Sequence, residues 1–292
     1  MLRRLRHLPT NKGTAVSSTS DDRSRPRTEI DTTVPHEARV YNYWLGGKDN
    51  YEADRVFGDT VAQHIPTIKA MAQANRAFLG RAVRYLVAEA GVTQFLDIGT
   101  GIPSADNTHE VAQQIDPSSR IVYVDKDPLV LAHARALMSS TPEGATTYIQ
   151  ADLHEPRSIL EHPAVAETLD LDRPVAIMLV AIMMYFHDSD RPAEAIQTLL
   201  DAVPSGSFLT ITHPTGDFAP AAMARAVTAI EAGGVRFQAR SRAEFETLFN
   251  GLPTVEPGLV PVAAWRLDLA DGPSLVNNPE EVWYWSGVAR KP

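Results

Sequence analysis

FLDIGTGIPSADN, residues 95–107, is the stretch on which the fold turns. An apolar run leads into Asp97, two glycines follow at Gly99 and Gly101, and the chain beyond reads as helix. Glycines at such a turn let the backbone bend sharply and come close to a ligand. The pattern is that of a strand, a tight loop and a helix start. It places a binding loop at the carboxyl end of a strand, where open α/β sheets hold their ligands.

Outward from this loop the chain alternates. Strand-like runs are QFLDIG (94–99), RIVYVD (120–125), TTYIQAD (146–152), VAIMLV (175–180) and SFLTITH (207–213). Helix-like runs lie between them, among them His109–Ile115, Leu129–Met138, Ala193–Ala202 and Ala221–Ala232. The alternation predicts a doubly wound α/β domain with a mostly parallel sheet covered by helices on both faces. Ser241 and Glu244 have capping-box spacing before one more short helix. LVPVAAWRL and EVWYWSGVAR, near the end, are strand-like with no full helix between them, so they are expected to close the sheet as an antiparallel pair. Trp283, Tyr284 and Trp285 on the second run are expected in the core.

Ahead of the loop the sequence is helical. Pro35 is read as the first helical residue of a segment that Gly46 and Gly47 close. Two more helices are expected from Glu52 to about His64 and from Thr67 to Ala90, with Gly91 as the stop. Residues 1–30 are rich in Arg, Ser, Thr and Asp and poor in large apolar side chains, which predicts a flexible tail. The expected organisation is therefore a tail (1–30), a helical cap or lid (31–91) and a Rossmann-like domain (92–292).

Bulk properties exclude several classes. The 292 residues carry a formal net charge of −9, which argues against broad affinity for nucleic acid. There is no cysteine, hence no disulfide, thiolate metal site or cysteine nucleophile. The basic start lacks the apolar stretch of a signal peptide. The most apolar run, Val175 to Phe186, falls short of the roughly 20 residues a membrane span needs. A cytoplasmic protein without membrane or nucleic-acid partners is expected. His109, His133 and His154 have no ligand spacing, and no metal is predicted.

The acids identify the ligand. Asp125 ends the second strand, roughly 20 residues past the glycine loop, where a carboxylate can accept hydrogen bonds from ribose hydroxyls. Asp152 ends the third strand and can accept from an adenine amino group. A dinucleotide loop would place a third glycine where Ser104 stands, and Pro103 removes a backbone donor that a pyrophosphate would use. Three acids and a loop short of donors suit a cationic nucleoside without phosphates. S-adenosylmethionine fits that description, with its carboxylate received by the helix start.

These residues resemble class I S-adenosylmethionine-dependent methyltransferases. More narrowly, PHEARVYNYWLGGKDNYEADR (35–55), QANRAFLGRAV (73–83) and FLDIGTGIPSADNTHEVAQ (95–113) resemble the bacterial S-adenosyl methyltransferase family once named as a domain of unknown function. The resemblance runs from about Asp31 to the C-terminus. It implies a seven-stranded sheet with a reversed last strand, and methyl transfer as the activity. It puts Asp97, Gly99 and Gly101 around the methionine part, Asp125 on the ribose, Asp152 and Leu153 near the adenine, and Ala181 in the pocket wall. With the neighbours Thr100 and Lys126, these form the expected cofactor set. Where many related sequences carry a histidine after the fourth strand, this one aligns Met184, with His187 out of register.

Methyl transfer needs donor and acceptor held in line more than it needs a base, so no catalytic residue is assigned. A small-molecule acceptor is expected, near Arg39, Tyr41, Asn42, Tyr43, Lys48 and Asp49 on the first helical segment, Asn75 and Arg76 on the third, and His213 at the end of the fifth strand. Each has a structural alternative: a docking helix with solvated charges for the first segment, an exposed helix face for Asn75 and Arg76, and a backbone-bonded core histidine for His213. Two other functions remain open at this point, a non-catalytic S-adenosylmethionine-binding regulatory module and an NAD(P)-dependent oxidoreductase.

Overall fold

The computed structural model describes residues 31–104, 106–137 and 139–292. The predicted tail, residues 1–30, and Met138 lie outside the described residues. Three helices come first: α1 (Glu37–Trp44), α2 (Glu52–His64) and α3 (Ile68–Ala88). The alternating part runs β1 (Gln94–Ile98), α4 (Thr108–Ile115), β2 (Arg120–Asp125), α5 (Pro128–Leu137) and β3 (Ala145–Gln150). It continues through two short helices, α6 (Pro156–Leu160) and α7 (Pro163–Thr168), then β4 (Ala176–Leu179), α8 (Pro192–Asp201) and β5 (Phe208–Pro214). The chain closes with α9 (Pro220–Ala232), α10 (Arg242–Thr247), β6 (Val260–Pro261) and β7 (Tyr284–Arg290).

The strands form one seven-stranded sheet in the order β3-β2-β1-β4-β5-β7-β6. The first five are parallel, and β7 is antiparallel to both β5 and β6. The order reverses between β1 and β4, which opens a crevice beyond their carboxyl ends. Alternate residues of each strand face opposite layers. Phe95, Ile121 and Met178 pack with Phe78, Val83 and Leu86 of α3. Leu96, Val122 and Ile177 pack with Ile159, Ile196 and Leu199 on the other face. No described helix is long and apolar enough to cross a membrane.

Helix boundaries follow local chemistry. Proline stands at the first helical positions of α6, α7, α8 and α9, where its missing N–H costs nothing. Ser241 and Glu244 cap α10 reciprocally, as their spacing predicted. Pro35, in contrast, precedes the cap: His36 is the N-cap of α1, and its Nδ1 accepts from the Ala38 N–H at 3.3 Å. The LVPVAAWRL run also departs from expectation. It yields only two strand residues, because Trp265 turns inward and is fully buried against Phe78 and Tyr85. Arg81 fixes that turn by donating to the carbonyls of Trp265 at 2.7 Å and Val262 at 2.6 Å. Tyr284 and Trp285 are buried, and Trp283 is partly buried against the core.

The helical segment is pinned by an ion pair. Asp54 is fully buried and accepts from the His36 N–H at 2.9 Å, the Tyr51 N–H at 2.8 Å and Arg39 Nε at 2.9 Å. Arg39 also donates to the carbonyls of Asp31 and Val34. This arrangement lays α1 across the carboxyl ends of the strands.

Candidate cofactor site

A cavity lies under α1 and α3 at the crevice where the strand order reverses. All nine residues of the expected cofactor set line it: Asp97, Gly99, Thr100, Gly101, Asp125, Lys126, Asp152, Leu153 and Ala181. Gly99 and Gly101 have φ of +75° and +63°, the left-handed region that glycine enters without strain. At Gly101 a Cβ would meet nothing within 4 Å, so the turn leaves its face open to a ligand. At Gly99 a Cβ would lie 2.9 Å from the Cβ of Ile182, so the glycine is what lets the β4 loop approach. Gly99→Ala is accordingly expected to cost about 2–5 kcal/mol, combining left-handed strain with overpacking, read as a lower denaturation midpoint. An unshifted midpoint would show that Ile182 yields freely.

The acids differ in environment. Asp97, on β1, is 6% exposed and accepts from Thr108 Oγ1 at 2.6 Å. Burial pushes its carboxyl up to about 6, against the opposing effects of the Thr108 hydrogen bond and the Arg76 charge. Asp125 ends β2 and binds the glycine loop directly, its Oδ2 accepting from the Gly101 N–H at 2.9 Å and its Oδ1 from the Asp127 N–H at 3.0 Å. Burial raises Asp125 as well. Asp152 is more open. Burial pushes it up, but two hydrogen bonds from His154, at 2.9 Å and 2.7 Å, together with the His154 and Lys126 charges hold it below the ordinary range.

Of the nine residues expected around the acceptor, three line this cavity: Tyr41, Asn75 and Arg76. The Tyr41 hydroxyl accepts from Asn75 Nδ2 at 2.9 Å and donates to the Ala72 carbonyl at 3.2 Å. Arg76 donates to Asn107 Oδ1 at 2.9 Å. The other six are placed elsewhere, each for a physical reason. Arg39 is consumed by Asp54 and the backbone. Asn42 is buried and holds the turn after α1, accepting from Asp49 N and Asn50 Nδ2. Tyr43 points to Asp59 at 2.8 Å, with Lys69 over its ring. Lys48 and Asp49 are exposed. His213 is fully buried: its Nδ1 donates to the Pro214 carbonyl and its Nε2 accepts from Arg240 at 2.8 Å. Burial and the Arg240 charge lower its pKa to about 3, against the raising effect of the Pro214 hydrogen bond, and its Nε2 lone pair is already taken by Arg240, so it is too weakly basic to take a proton at ordinary pH.

Several lining residues lie outside the expected cofactor and acceptor sets. His36 and Glu37 come from the start of α1, Tyr148 from β3, and Tyr185 and Phe186 from the loop after β4. That loop is shaped by Arg240, which donates to the carbonyls of Met183 and Phe186 and to Asp188. Met184 is buried in this loop and does not line the cavity, and neither does His187.

The donor set fits a cationic nucleoside. Two buried polar atoms at the cavity, Thr100 Oγ1 and Asn75 Oδ1, have no hydrogen-bond partner among the described residues. Buried polar groups are rarely left so, and a ligand can satisfy them. Acids at the ends of β1 and β2 and just past β3, the open glycine turn and the β3-β2-β1-β4-β5-β7-β6 sheet define the class: a Rossmann-like methyltransferase fold. The chain belongs to the S-adenosyl methyltransferase family, whose model matches residues 23–292, and its cofactor is S-adenosylmethionine. Among solved structures it is similar to a DUF574 family protein from Streptomyces avermitilis, at 44% identity and a TM-score of 0.85, over 90% of this chain and 100% of that one. It is also similar to a putative methyltransferase from Thermobifida fusca, at 41% identity and a TM-score of 0.82, over 89% and 96% of the two chains. No curated protein matches it.

Proposed function

We propose that the protein transfers the methyl group of S-adenosylmethionine to a small-molecule acceptor, with residues 31–91 acting as a cap over the domain formed by 92–292. The observation that carries this reading is the union of all nine expected cofactor residues in one cavity roofed by α1 and α3. Asp125 is assigned to the ribose hydroxyls, and Asp152 with Leu153 to the adenine. Asp97 faces the cationic end of the methionine part, and Arg76, beside Asp97 and bonded to Asn107, faces its carboxylate. When bound, the cofactor supplies a methyl carbon already activated by its sulfonium. The protein then needs to hold the acceptor in line and exclude water, which fits a covered cavity.

Membership in the family removes the nicotinamide alternative. A binding-only module is disfavoured by a second chamber beside the first, which a protein that merely senses the cofactor would not need. Incubating the protein with methyl-labelled S-adenosylmethionine and a metabolite extract tests the reading. Label in a product supports transfer, whereas tight cofactor binding without any labelled product favours the module. Asp125→Ala is expected to weaken cofactor binding by about 1–3 kcal/mol through lost buried hydrogen bonds, measured by calorimetry. Unchanged affinity would move the ribose elsewhere.

A further inference from the structure

The second chamber adjoins the cofactor cavity and shares three wall residues with it: Glu37, Tyr41 and Tyr185. Its other walls are almost wholly apolar. Val40, Val61 and Met71 come from α1, α2 and α3, Ile65 directly follows α2, Met184 comes from the loop after β4 and Met223 from α9. No Lys, Arg or His lines it, and Glu37 is its single carboxylate. Polar groups gather at one end. Besides Glu37 they are the hydroxyls of Tyr41, Tyr185 and Tyr284.

We propose that this chamber takes the acceptor, and that the acceptor is an apolar amine whose nitrogen lies at the wall formed by Glu37, Tyr41 and Tyr185. The inference rests on the methyltransferase reading above and adds the chemical class. An anionic acceptor would bury its charge in an apolar chamber with no cation and with a carboxylate facing it, which is costly. An amine brings N–H donors and, as its ammonium, positive charge; it must lose one proton before its lone pair can take the methyl, so Glu37 accepts that proton, the nitrogen–methyl bond forms as the sulfur–methyl bond breaks, and S-adenosylhomocysteine leaves. Glu37 can accept a charge-assisted hydrogen bond from it, and aromatic faces favour a cation. The apolar remainder fills the walls between α1–α3 and α9. Placing the nitrogen at the shared wall also puts the nucleophile next to the cofactor cavity.

The test uses the full chain with S-adenosylmethionine affinity measured first by calorimetry. Three probes of similar size then follow on the S-adenosylhomocysteine complex: phenylethylamine, phenylethanol and phenylpropionate. The amine is expected to bind about tenfold tighter than either other probe, the scale of one charge-assisted contact. Glu37→Gln is expected to erase that preference. Val235→Trp, which narrows the chamber away from the cofactor cavity, is expected to weaken the amine while leaving cofactor affinity unchanged. Equal or tighter binding of the alcohol or the carboxylate overturns the inference, as does a preference that survives Glu37→Gln. If the cofactor itself fails to bind, the failure belongs to the methyltransferase reading. If it binds and the amine shows no advantage, only the acceptor class is wrong.

Discussion

Asp97→Asn is expected to make the unliganded protein melt higher at pH 7.5 while sharply weakening its hold on S-adenosylmethionine. The carboxyl lies in a site where burial raises it from 3.8 to about 6. The folded chain therefore binds this proton more tightly than the unfolded chain does. Stability from this group is lost as pH rises from about 4 to about 6 and stays lost above. A shift of that size corresponds to on the order of 3 kcal/mol. Asparagine removes the ionisation and keeps an oxygen for the Thr108 hydroxyl, so the midpoint should rise by several degrees at pH 7.5, about 2–4 °C per kcal/mol for a chain near this size. At pH 4 the two proteins should melt together. Binding moves the other way. A cationic ligand prefers the ionised acid, so wild-type affinity should climb between pH 5 and pH 7, and the variant should lose both that climb and about 1.5–3 kcal/mol of affinity. Calorimetry across pH and thermal melts on the same samples measure both. A variant that melts lower and binds normally would make Asp97 a residue of the fold alone.

Asp54→Ala is the second large effect, and it acts from a distance. Removing this carboxylate strands the Arg39 guanidinium, which is 3% exposed, and frees the N–H groups of His36 and Tyr51. Breaking a buried pair in this way costs about 3–5 kcal/mol. The loss should be local, because α1 has only eight residues and cannot persist without tertiary support. Hydrogen exchange is expected to quicken over residues 36–51, with β1 and β2 unchanged. Since His36, Glu37, Ala38 and Tyr41 form part of the cavity roof, cofactor affinity should fall with it. Uniformly faster exchange across the sheet would mean instead that the pair supports the whole domain.

The cavity residues contributed by the sheet were legible because they stand at strand ends. An acid that interrupts an apolar run at the end of a strand marks the crevice directly, and Asp97, Asp125 and their glycines needed no tertiary information. The roof was not legible in the same way. Density of polar and aromatic side chains drew attention to 36–51, but in a helix only one face can meet the cavity. Glu37, Ala38 and Tyr41 share that face, while Arg39, Asn42 and Tyr43 are turned to other partners. The i, i+4 spacing of Glu37 and Tyr41 was the available signal. Deciding between the faces required Asp54, which lies fifteen residues from Arg39. The strand expected over LVPVAAWRL came out as the two residues of β6 for a similar reason. Trp265 looked like a strand residue, and its actual place is set by Phe78, Tyr85 and Arg81 on a helix far away in sequence.

Arg240 carries a consequence for how the cavity can be altered. Its guanidinium spans Met183, Phe186, Asp188 and His213 at once, and in doing so tethers the stretch that contributes Tyr185 and Phe186 to the ligand's surroundings. A lysine would keep the charge yet lack the planar fork that reaches several acceptors together. Damage at this one remote cation would thus be felt by a ligand that never touches it. Swapping only the residues in contact with the ligand would leave this dependence out of view.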